Sequence, residues 1–323
     1  MASSVRLSVE LALPLAEARE LVLDELRLAG LEPRVKGRQV IVERPTQGWE
    51  PAEHARVAFR FEPADGGTVV QVELSRDPEL LGEWFVSQAV APLLRAAAPE
   101  AHGDWLTDRR ARRPSGAEAR QVYGDPLYHW PNFRAILAEV ALTADDRLLE
   151  VGCGGGAFLR EALQSGCHAA AIDHSPDMVQ LAREQNADAI AEGRLEVMEG
   201  DAAALPFQDE RFTAAVLTGV LGFLSDPVAA FAEIRRVLAP GGRFVALGAD
   251  PALKGTPAAP EPMASRLAFY SDEEHERLGR EAGFDEVEVK RIPLLSHARE
   301  AGVPDEHLPL FDGTTPFLVA RRH

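Results

Sequence analysis

The chain has 323 residues, of which 46% are hydrophobic and 26% are charged, and its formal net charge at pH 7 is −17. This composition is typical of a globular protein and excludes disordered and fibrous chains. Apolar runs stay shorter than the roughly 18 to 20 residues that span a bilayer, so we expect a cytoplasmic protein with no membrane partner. The acidic charge repels phosphate backbones, so we also expect no nucleic-acid partner.

The chain length predicts two domains, because 323 residues exceed what one hydrophobic core usually organises. We predict an N-terminal α+β domain over residues 1–104, an arginine-rich linker over 105–122 and a second domain over 123–323. The two cysteines, Cys153 and Cys167, fit neither a disulfide framework nor a metal-ligand motif, so we expect no metal. The oligomeric state is open, and a homodimer is one option.

The first domain is predicted to contain a strand, a helix, several short strands and a long helix, in that order. The alternating VRLSVELAL is typical of a strand, and AEARELVLDELRLAG has apolar residues near helical spacing. HARVAFRFEP and TVVQVELS flank ADGG, which has the composition of a hairpin turn. A second helix is expected over residues 77–98. This order resembles the START-like helix-grip fold, and a small α+β domain that only packs against its neighbour is the alternative.

The predicted linker concentrates positive charge in the stretch DRRARRPSGAEAR. Five arginines lie there, among a proline, a serine and a glycine: Arg109, Arg110, Arg112, Arg113 and Arg120. Such charge runs are usually solvated, so a linker or a helix end is one interpretation. A clamp for an anionic ligand, or a contact between domains, is the other.

From Pro131 onward, helical and strand-like segments alternate, as in FRAILAEVAL, DRLLEVG, FLREALQSG and HAAAIDH. This alternation predicts an α/β domain with a doubly wound, mostly parallel sheet covered by helices on both faces. Helix starts are indicated by N-cap residues that precede a proline or a capping-box acid: Ser175, Asp226 and Ser271. The last two strand-like segments, EVEVKRI and PFLVARR, are expected to pair as an antiparallel hairpin.

A glycine-rich turn, GCGGG, follows the strand LLEV and precedes the helical AFLREALQ. Glycine lets the backbone turn tightly and approach a ligand closely, and the following helix directs free N–H groups toward it. The turn alone does not select one cofactor, because Gly152-x-Gly154-x-x-Ala157 also satisfies a loose dinucleotide fingerprint. Asp173 ends the next strand, where a carboxylate can accept hydrogen bonds from two ribose hydroxyls.

Three further segments follow in order: RLEVMEGDAAALPF, FTAAVLTGVLGFLSDP and EIRRVLAPGGRFVAL. With the glycine turn and Asp173, they resemble class I S-adenosylmethionine-dependent methyltransferases over about residues 121–323. The resemblance implies a Rossmann-like methyltransferase fold and S-adenosylmethionine as the cofactor.

The same resemblance implies cofactor-binding roles at matching positions. Glu150 and the glycine turn would lie near the methionine moiety, Asp173 on the ribose hydroxyls, and Asp201 on the adenine amino group. The implied set is Glu150, Gly152, Gly154, Gly156, Asp173, His174, Asp201, Ala202, Thr218 and Gly219. As an alternative, Glu150 and Asp201 are helix-capping or turn acids.

The methyl acceptor is expected to meet the segment QVYGDPLYHWPNF, which in similar enzymes forms a flap over cofactor and substrate. His129 is the candidate general base, because Phe223, which follows the fourth strand, cannot remove a proton. Candidate substrate-binding residues are Tyr123, Tyr128, Trp130, Phe223 and Tyr270. The alternative is that the aromatic cluster joins the linker to the core, with His129 as a packed or capping residue.

We therefore predict an S-adenosylmethionine-dependent methyltransferase that moves a methyl group by in-line displacement to an oxygen, nitrogen or carbon of a small organic metabolite. A sulfonium methyl already has a strong leaving group, so the protein mainly aligns the nucleophile and excludes water. Two alternatives stay open: a non-catalytic sensor of S-adenosylmethionine and an apolar ligand, and a nicotinamide-dependent oxidoreductase.

Overall fold

The computed structural model describes residues 6–11, 14–28, 31–43, 56–74, 90, 91, 93 and 107–323. The chain divides into two compact units, Met1–Trp105 and Leu106–His323. Within the described ranges, no helix has both the length and the apolar character needed to cross a membrane.

The first unit contains an antiparallel sheet in the order β1-β5-β4-β3-β2. Its elements are β1 (Arg6–Leu11), α1 (Leu15–Leu28), β2 (Arg34–Lys36), β3 (Gln39–Glu43), β4 (Arg56–Ala64) and β5 (Gly67–Leu74). The predicted hairpin is confirmed, because Ala64 pairs with Gly67 across a two-residue turn. Gly66 in that turn has φ +94°, a backbone conformation that favours glycine.

The core of the first unit lies between α1 and one face of the sheet. Val22 and Leu26 of α1 are buried with Phe59 and Phe61 of β4 and Val70 of β5. Most of the predicted second helix, residues 77–98, lies outside the described residues. The resemblance to the helix-grip fold is not confirmed and stays a prediction.

The second unit contains a seven-stranded sheet in the order β11-β12-β10-β9-β6-β7-β8. Its strands are β6 (Arg147–Val151), β7 (His168–Asp173), β8 (Leu195–Glu199), β9 (Phe212–Leu217), β10 (Leu238–Leu247), β11 (Glu286–Pro293) and β12 (Thr314–Arg321). Neighbouring strands in the run β10-β9-β6-β7-β8 pair in parallel, whereas β12 pairs antiparallel with both β10 and β11. The predicted doubly wound fold and terminal hairpin are both confirmed.

Eight helices complete the second unit, within its described range of 107–323. They are α2 (Gly116–Gly124), α3 (Trp130–Val140), α4 (Ala157–Ala162), α5 (Pro176–Gln185), α6 (Ala187–Ala191), α7 (Pro227–Val237), α8 (Asp272–Glu281) and α9 (Leu295–Glu300). Three predicted caps are confirmed: Ser175 accepts from Met178 N, Asp226 accepts from Ala229 N, and Ser271 forms a capping box with Glu274.

The two faces of this sheet are buried in separate apolar cores. Leu148 of β6 packs in one core with Phe133 and Phe158, while its neighbour Leu149 packs in the other with Phe231. Successive side chains of a strand point to opposite faces of the sheet. A sheet that is buried on both faces therefore needs strands in which consecutive residues are apolar.

Residues 107–122 belong to the second unit, whereas the sequence predicts a linker over 105–122. Asp108–Arg112 forms a helical turn and α2 follows it. Three polar contacts hold this stretch to α5: Ser175 Oγ to Pro114 O at 2.5 Å, Arg120 to Glu184 at 2.5 Å, and Gln185 Nε2 to Gly124 O at 2.8 Å. These contacts join residues about 60 positions apart in the chain, so local composition could not reveal them.

A buried carboxylate joins three strands at the amino end of the sheet. Asp146, which is 7% exposed, precedes β6 and accepts from Thr213 Oγ1 of β9 at 2.7 Å. Two nitrogens of Arg243 in β10 donate to it at 2.9 and 3.0 Å. Burial by itself raises the pKa of Asp146, but hydrogen bonds from Arg243, Thr213 and Thr143 lower it overall.

We expect Asp146→Asn to lower the free energy of unfolding at pH 7 by about 1.5–3 kcal/mol, because hydrogen bonds to a charged group are lost. The folded-state pKa of Asp146 lies below its unfolded value of about 3.9, so this stabilisation is present above pH 4 and is lost as pH falls. Urea unfolding at pH 7 and pH 3.5 measures the difference. A difference between wild type and variant that is the same at both pH values contradicts the assignment. Asp188→Asn, at an exposed carboxylate, is the control.

Candidate active site

The glycine turn at the carboxyl end of β6 requires glycine at several positions. Gly152, Gly154 and Gly156 have φ of +75°, +50° and +79°, where other residues are strained. Gly155 has ordinary φ but no space, because a Cβ there would lie 2.3 Å from the carbonyl oxygen of Tyr123. The amides of Gly152 and Cys153 donate to the same oxygen, Ile172 O, at 2.8 and 3.0 Å. The turn is therefore tied to the end of β7.

Asp173, the last residue of β7, holds the turn from its other side. One carboxylate oxygen accepts from Gly154 N at 2.8 Å and the other accepts from Ser175 N at 2.8 Å. Burial raises the pKa of Asp173, while these two backbone hydrogen bonds lower it. The side chain thus links the glycine turn to the N-cap of α5.

Glu150 lies fully buried beneath the turn. Its Oε1 accepts from Thr218 Oγ1 at 3.0 Å, and its Oε2 is buried with no hydrogen-bond partner among the described residues. Burial raises the pKa of Glu150 well above the usual range, and the nearby charge of Asp173 raises it further. Burial therefore favours the protonated form of Glu150.

A cavity of about 600 Å³ opens above these residues, at the carboxyl ends of β6, β7, β8 and β9. The predicted cofactor-binding residues that line it are Gly152, Gly154, Asp173, His174, Asp201, Ala202, Thr218 and Gly219. Glu150 and Gly156 do not line it: Glu150 is buried below, and Gly156 is the buried N-cap of α4. Their cofactor roles, like those of the lining residues, stay predictions.

The opposite wall is the covering segment, residues 111–133, whose lining residues are Ala111, Arg112, Arg113, Pro114, Tyr123, Pro126, His129 and Phe133. Tyr123 lies directly on the glycine turn, where its ring carbon Cδ1 is 3.1 Å from a Cβ built at Gly154. Arg112 pairs with Asp108 at 2.6 Å and Arg113 pairs with Glu199 at 3.8 Å. Both arginines that line the cavity are therefore engaged with acids of the chain.

Three titratable groups of the cavity are kept uncharged by their surroundings. Burial lowers the pKa of His129, so its imidazole is neutral at pH 7. Burial, and then the charge of Asp173, raise the pKa of Tyr123 to about 12. Burial also raises the pKa of the Cys153 thiol well above its usual range. Of the three, only the imidazole can accept a proton near neutral pH.

The predicted catalytic and substrate-binding residues divide into two groups. Tyr123, His129 and Phe223 line the cavity. Three others face elsewhere: Tyr128 Oη lies 2.7 Å from His307 Nδ1, Trp130 Nε1 donates to Asp125 at 3.1 Å, and the ring of Tyr270 packs against His275 at 5.7 Å. Each has a partner outside the cavity, so direct substrate contact does not follow from its position.

Sequence reasoning did not name Glu199, Val220 or Leu224 as part of the site, and it placed Phe133 in the segment expected to meet the acceptor without singling it out; all four line the cavity. Glu199 is the last residue of β8, so the rule that placed Asp173 at a strand end could have found it. Phe133 faces the cavity from α3, and its apolar spacing resembles that of any core helix. No local signal distinguishes it.

We expect Glu150→Gln to become more stable relative to wild type as pH rises. The folded-state pKa of Glu150 is raised above its unfolded value of about 4.3, so the stability from its neutral form is present below that value and is lost at higher pH. Glutamine has no proton to lose. Thermal unfolding at pH 5 and pH 8 measures the effect. A difference in melting temperature between the two proteins that does not change with pH would contradict a raised pKa of Glu150.

Comparison with known proteins agrees with this geometry. A family model described as a methyltransferase domain matches residues 149–246, from β6 to β10. The demethylmenaquinone methyltransferase of Clavibacter sepedonicus is 35% identical over 124 residues, which are 38% of this chain and 48% of that protein. The chain thus spans about half the length of that relative.

The 27-O-demethylrifamycin SV methyltransferase of Amycolatopsis mediterranei is 31% identical over 202 residues, covering 58% of this chain and 69% of that protein. A solved chain from the complex between the Haloferax volcanii Trm112 methyltransferase activator and a protein described as a methyltransferase matches with TM-score 0.51 and 24% identity. It covers 65% of this chain and 100% of that one, and at this identity it supports the fold alone. The chain belongs to the class I S-adenosylmethionine-dependent methyltransferases.

Proposed function

We propose that this protein transfers the methyl group of S-adenosylmethionine to a small organic molecule. The cavity of about 600 Å³ carries the proposal, because the glycine turn, Asp173 and the ends of β8 and β9 all line it. Ligands of doubly wound sheets bind at the carboxyl ends of the strands. Cavities of this size also suit small organic ligands.

The residues present fit S-adenosylmethionine. Its ribose hydroxyls and adenine amino group are hydrogen-bond donors, and Asp173 and Asp201 offer carboxylates on neighbouring strand ends. The sulfur of S-adenosylmethionine is positively charged, and three acids line the cavity: Asp173, Asp201 and Glu199. Their negative charges favour a positively charged ligand. Glu150 Oε2, buried without a partner in the described part of the chain, lies under the same turn. When bound, the cofactor supplies a methyl group on a sulfonium, which is a strong leaving group.

The chain itself contributes positioning, exclusion of water and a proton acceptor. The covering segment forms the wall of the cavity opposite the strand ends, which shields that side of the cavity from water. The neutral imidazole of His129 can accept a proton from a hydroxyl or amine acceptor. The thiol of Cys153 and the phenol of Tyr123 stay protonated, so we assign no nucleophilic or basic role to either.

A small organic acceptor is favoured over a macromolecule. The two relatives are named for demethylmenaquinone and 27-O-demethylrifamycin SV, which are organic metabolites. The chain spans only part of each relative, so the acceptor remains part of the proposal. A cytoplasmic location and the absence of a nucleic-acid partner remain predictions, and a homodimer remains an option.

The two earlier alternatives have less support. The family match argues against a nicotinamide-dependent oxidoreductase. A non-catalytic sensor is suggested by the absence of a base beyond the fourth strand, but His129 lines the cavity from the covering segment. A neutral imidazole at that position favours turnover over sensing.

We expect titration calorimetry to detect S-adenosylmethionine binding to the wild-type protein and none with NADH. Asp173→Asn should weaken the binding roughly 10- to 100-fold, because hydrogen bonds to a charged acceptor are worth about 1.5–3 kcal/mol. Asp188→Asn, at an exposed carboxylate of α6, is the matched control and should bind normally. Wild-type protein that binds NADH and not S-adenosylmethionine refutes the proposal.

We expect His129→Gln to slow methyl transfer to a hydroxyl acceptor roughly 10²- to 10⁴-fold with unchanged S-adenosylmethionine affinity, because a general base contributes about that much. Since the pKa of His129 lies below the usual histidine value of about 6.5, the wild-type rate should fall only as pH drops below that value. The variant should lack this acidic limb. The measurement is S-adenosylhomocysteine release between pH 5 and 8, and an identical pH profile in both proteins would rule out the role.

A further inference from the structure

The lining of the cavity is divided by polarity along the edge of the sheet. The acids lie at one end, where Asp173 ends β7 and Glu199 ends β8, with Asp201 just beyond. Arg113 lies at the same end, because it pairs with Glu199. Pro114 O, which accepts from Ser175 Oγ, fixes the neighbouring backbone there.

The other end of the cavity is apolar. The turn after β9 contributes Val220, Phe223 and Leu224, and the covering segment contributes Pro126 and Phe133. Val220 packs on the glycine turn so closely that its Cγ2 would lie 2.1 Å from a Cβ at Gly152. Phe133 packs edge-on against Phe158 at 5.6 Å, so its ring is fixed by the core. This end is therefore a preformed wall rather than a loose surface.

Among the described lining residues of the turn after β9 and of Pro126 to Phe133, the polar groups are few and none is charged near neutral pH. Burial keeps His129 neutral, with its ring 6.0 Å from that of Phe133. Ser225 lines the cavity but is exposed, and the next residue, Asp226, directs its carboxylate to Ala229 N as the cap of α7. A charged group bound here would lose its hydration without gaining a partner of opposite charge, which is costly.

The strand order assigns the two ends to different ligands. β6, with the glycine turn, lies between β7 and β9. If the acids of β7 and β8 hold the nucleoside part of the cofactor, the acceptor has the β9 side, where Phe223, Phe133 and His129 present three rings. Aromatic rings favour flat partners through offset or edge-to-face packing.

We propose that this apolar end (Pro126, His129, Phe133, Val220, Phe223 and Leu224) binds a neutral aromatic hydroxyl compound and excludes its charged analogues. The assignment rests on the proposed methyltransferase function and specifies its acceptor class. In the reaction, the acceptor oxygen bonds to the methyl carbon as the sulfur–methyl bond breaks. The electron pair of that bond stays on sulfur, giving S-adenosylhomocysteine, and the hydroxyl proton passes to the imidazole of His129.

The test uses 2-naphthol and 6-hydroxynaphthalene-2-sulfonate, two probes with the same ring and hydroxyl that differ by one negative charge. Binding of each probe to the full chain is followed by naphthol fluorescence with and without S-adenosylhomocysteine, and methylation by product formation. We expect 2-naphthol to bind at least about tenfold more tightly than the sulfonate, because none of the six residues that form the apolar end carries a positive charge near neutral pH. Equal or tighter binding of the sulfonate overturns the proposal, as does failure of 2-naphthol to bind.

Leu224→Arg tests whether this wall sets the preference. A guanidinium there supplies the missing cation, so the ratio of sulfonate to 2-naphthol affinity should rise at least about tenfold. Leu310→Arg, at a leucine that is 46% exposed and does not line the cavity, is the matched control and should keep the wild-type ratio. A folded Leu224→Arg protein with an unchanged ratio refutes the assignment.

Calorimetry with S-adenosylmethionine distinguishes a failure of the proposed methyltransferase function from a failure of the acceptor assignment. If the wild-type protein does not bind S-adenosylmethionine, the proposed function is refuted, whichever naphthol probe binds more tightly. Normal cofactor binding together with a preference for the sulfonate defeats only the acceptor assignment. Leu224→Arg should keep the wild-type cofactor affinity, because the acids of β7 and β8 are unchanged.

Discussion

The carboxylate of Asp173 holds together the strand ends on which the site depends. Its two oxygens accept from Gly154 N and Ser175 N, so one side chain sets the glycine turn after β6 and the start of α5. The amides of Gly152 and Cys153 add a second link, since both donate to Ile172 O. The base of the cavity is thus a hydrogen-bonded junction of two parallel strands.

Burial under this junction limits how many negative charges it can hold. Burial raises the pKa of Glu150 well above its usual range and the charge of Asp173 raises it further, so the protonated form of Glu150 is favoured. The other acids of the cavity, Glu199 and Asp201, lie further along the edge of the sheet. The strand order converts this spacing into a cavity with an acidic end and an apolar end.

Features that depend on residues a few positions apart were predictable from the sequence. The caps at Ser175, Asp226 and Ser271 are local hydrogen bonds, and the terminal hairpin of β11 and β12 follows from strand alternation. The structure differs from the predicted linker over 105–122, because this stretch depends on residues far apart in the chain. Its helices are held by contacts to α5 that the composition of the segment does not encode.

The sequence by itself determined the parallel sheet, the glycine turn and the acid that ends β7, because each is specified by a continuous stretch of chain. It could not decide which residues share the cavity: Glu199, Val220 and Phe133 come from three separate elements, while Tyr128 and Tyr270 find partners elsewhere. That choice depends on the order β9-β6-β7-β8, which is not the order of the chain. Only the packed sheet and its covering segment decide which side chains face one another.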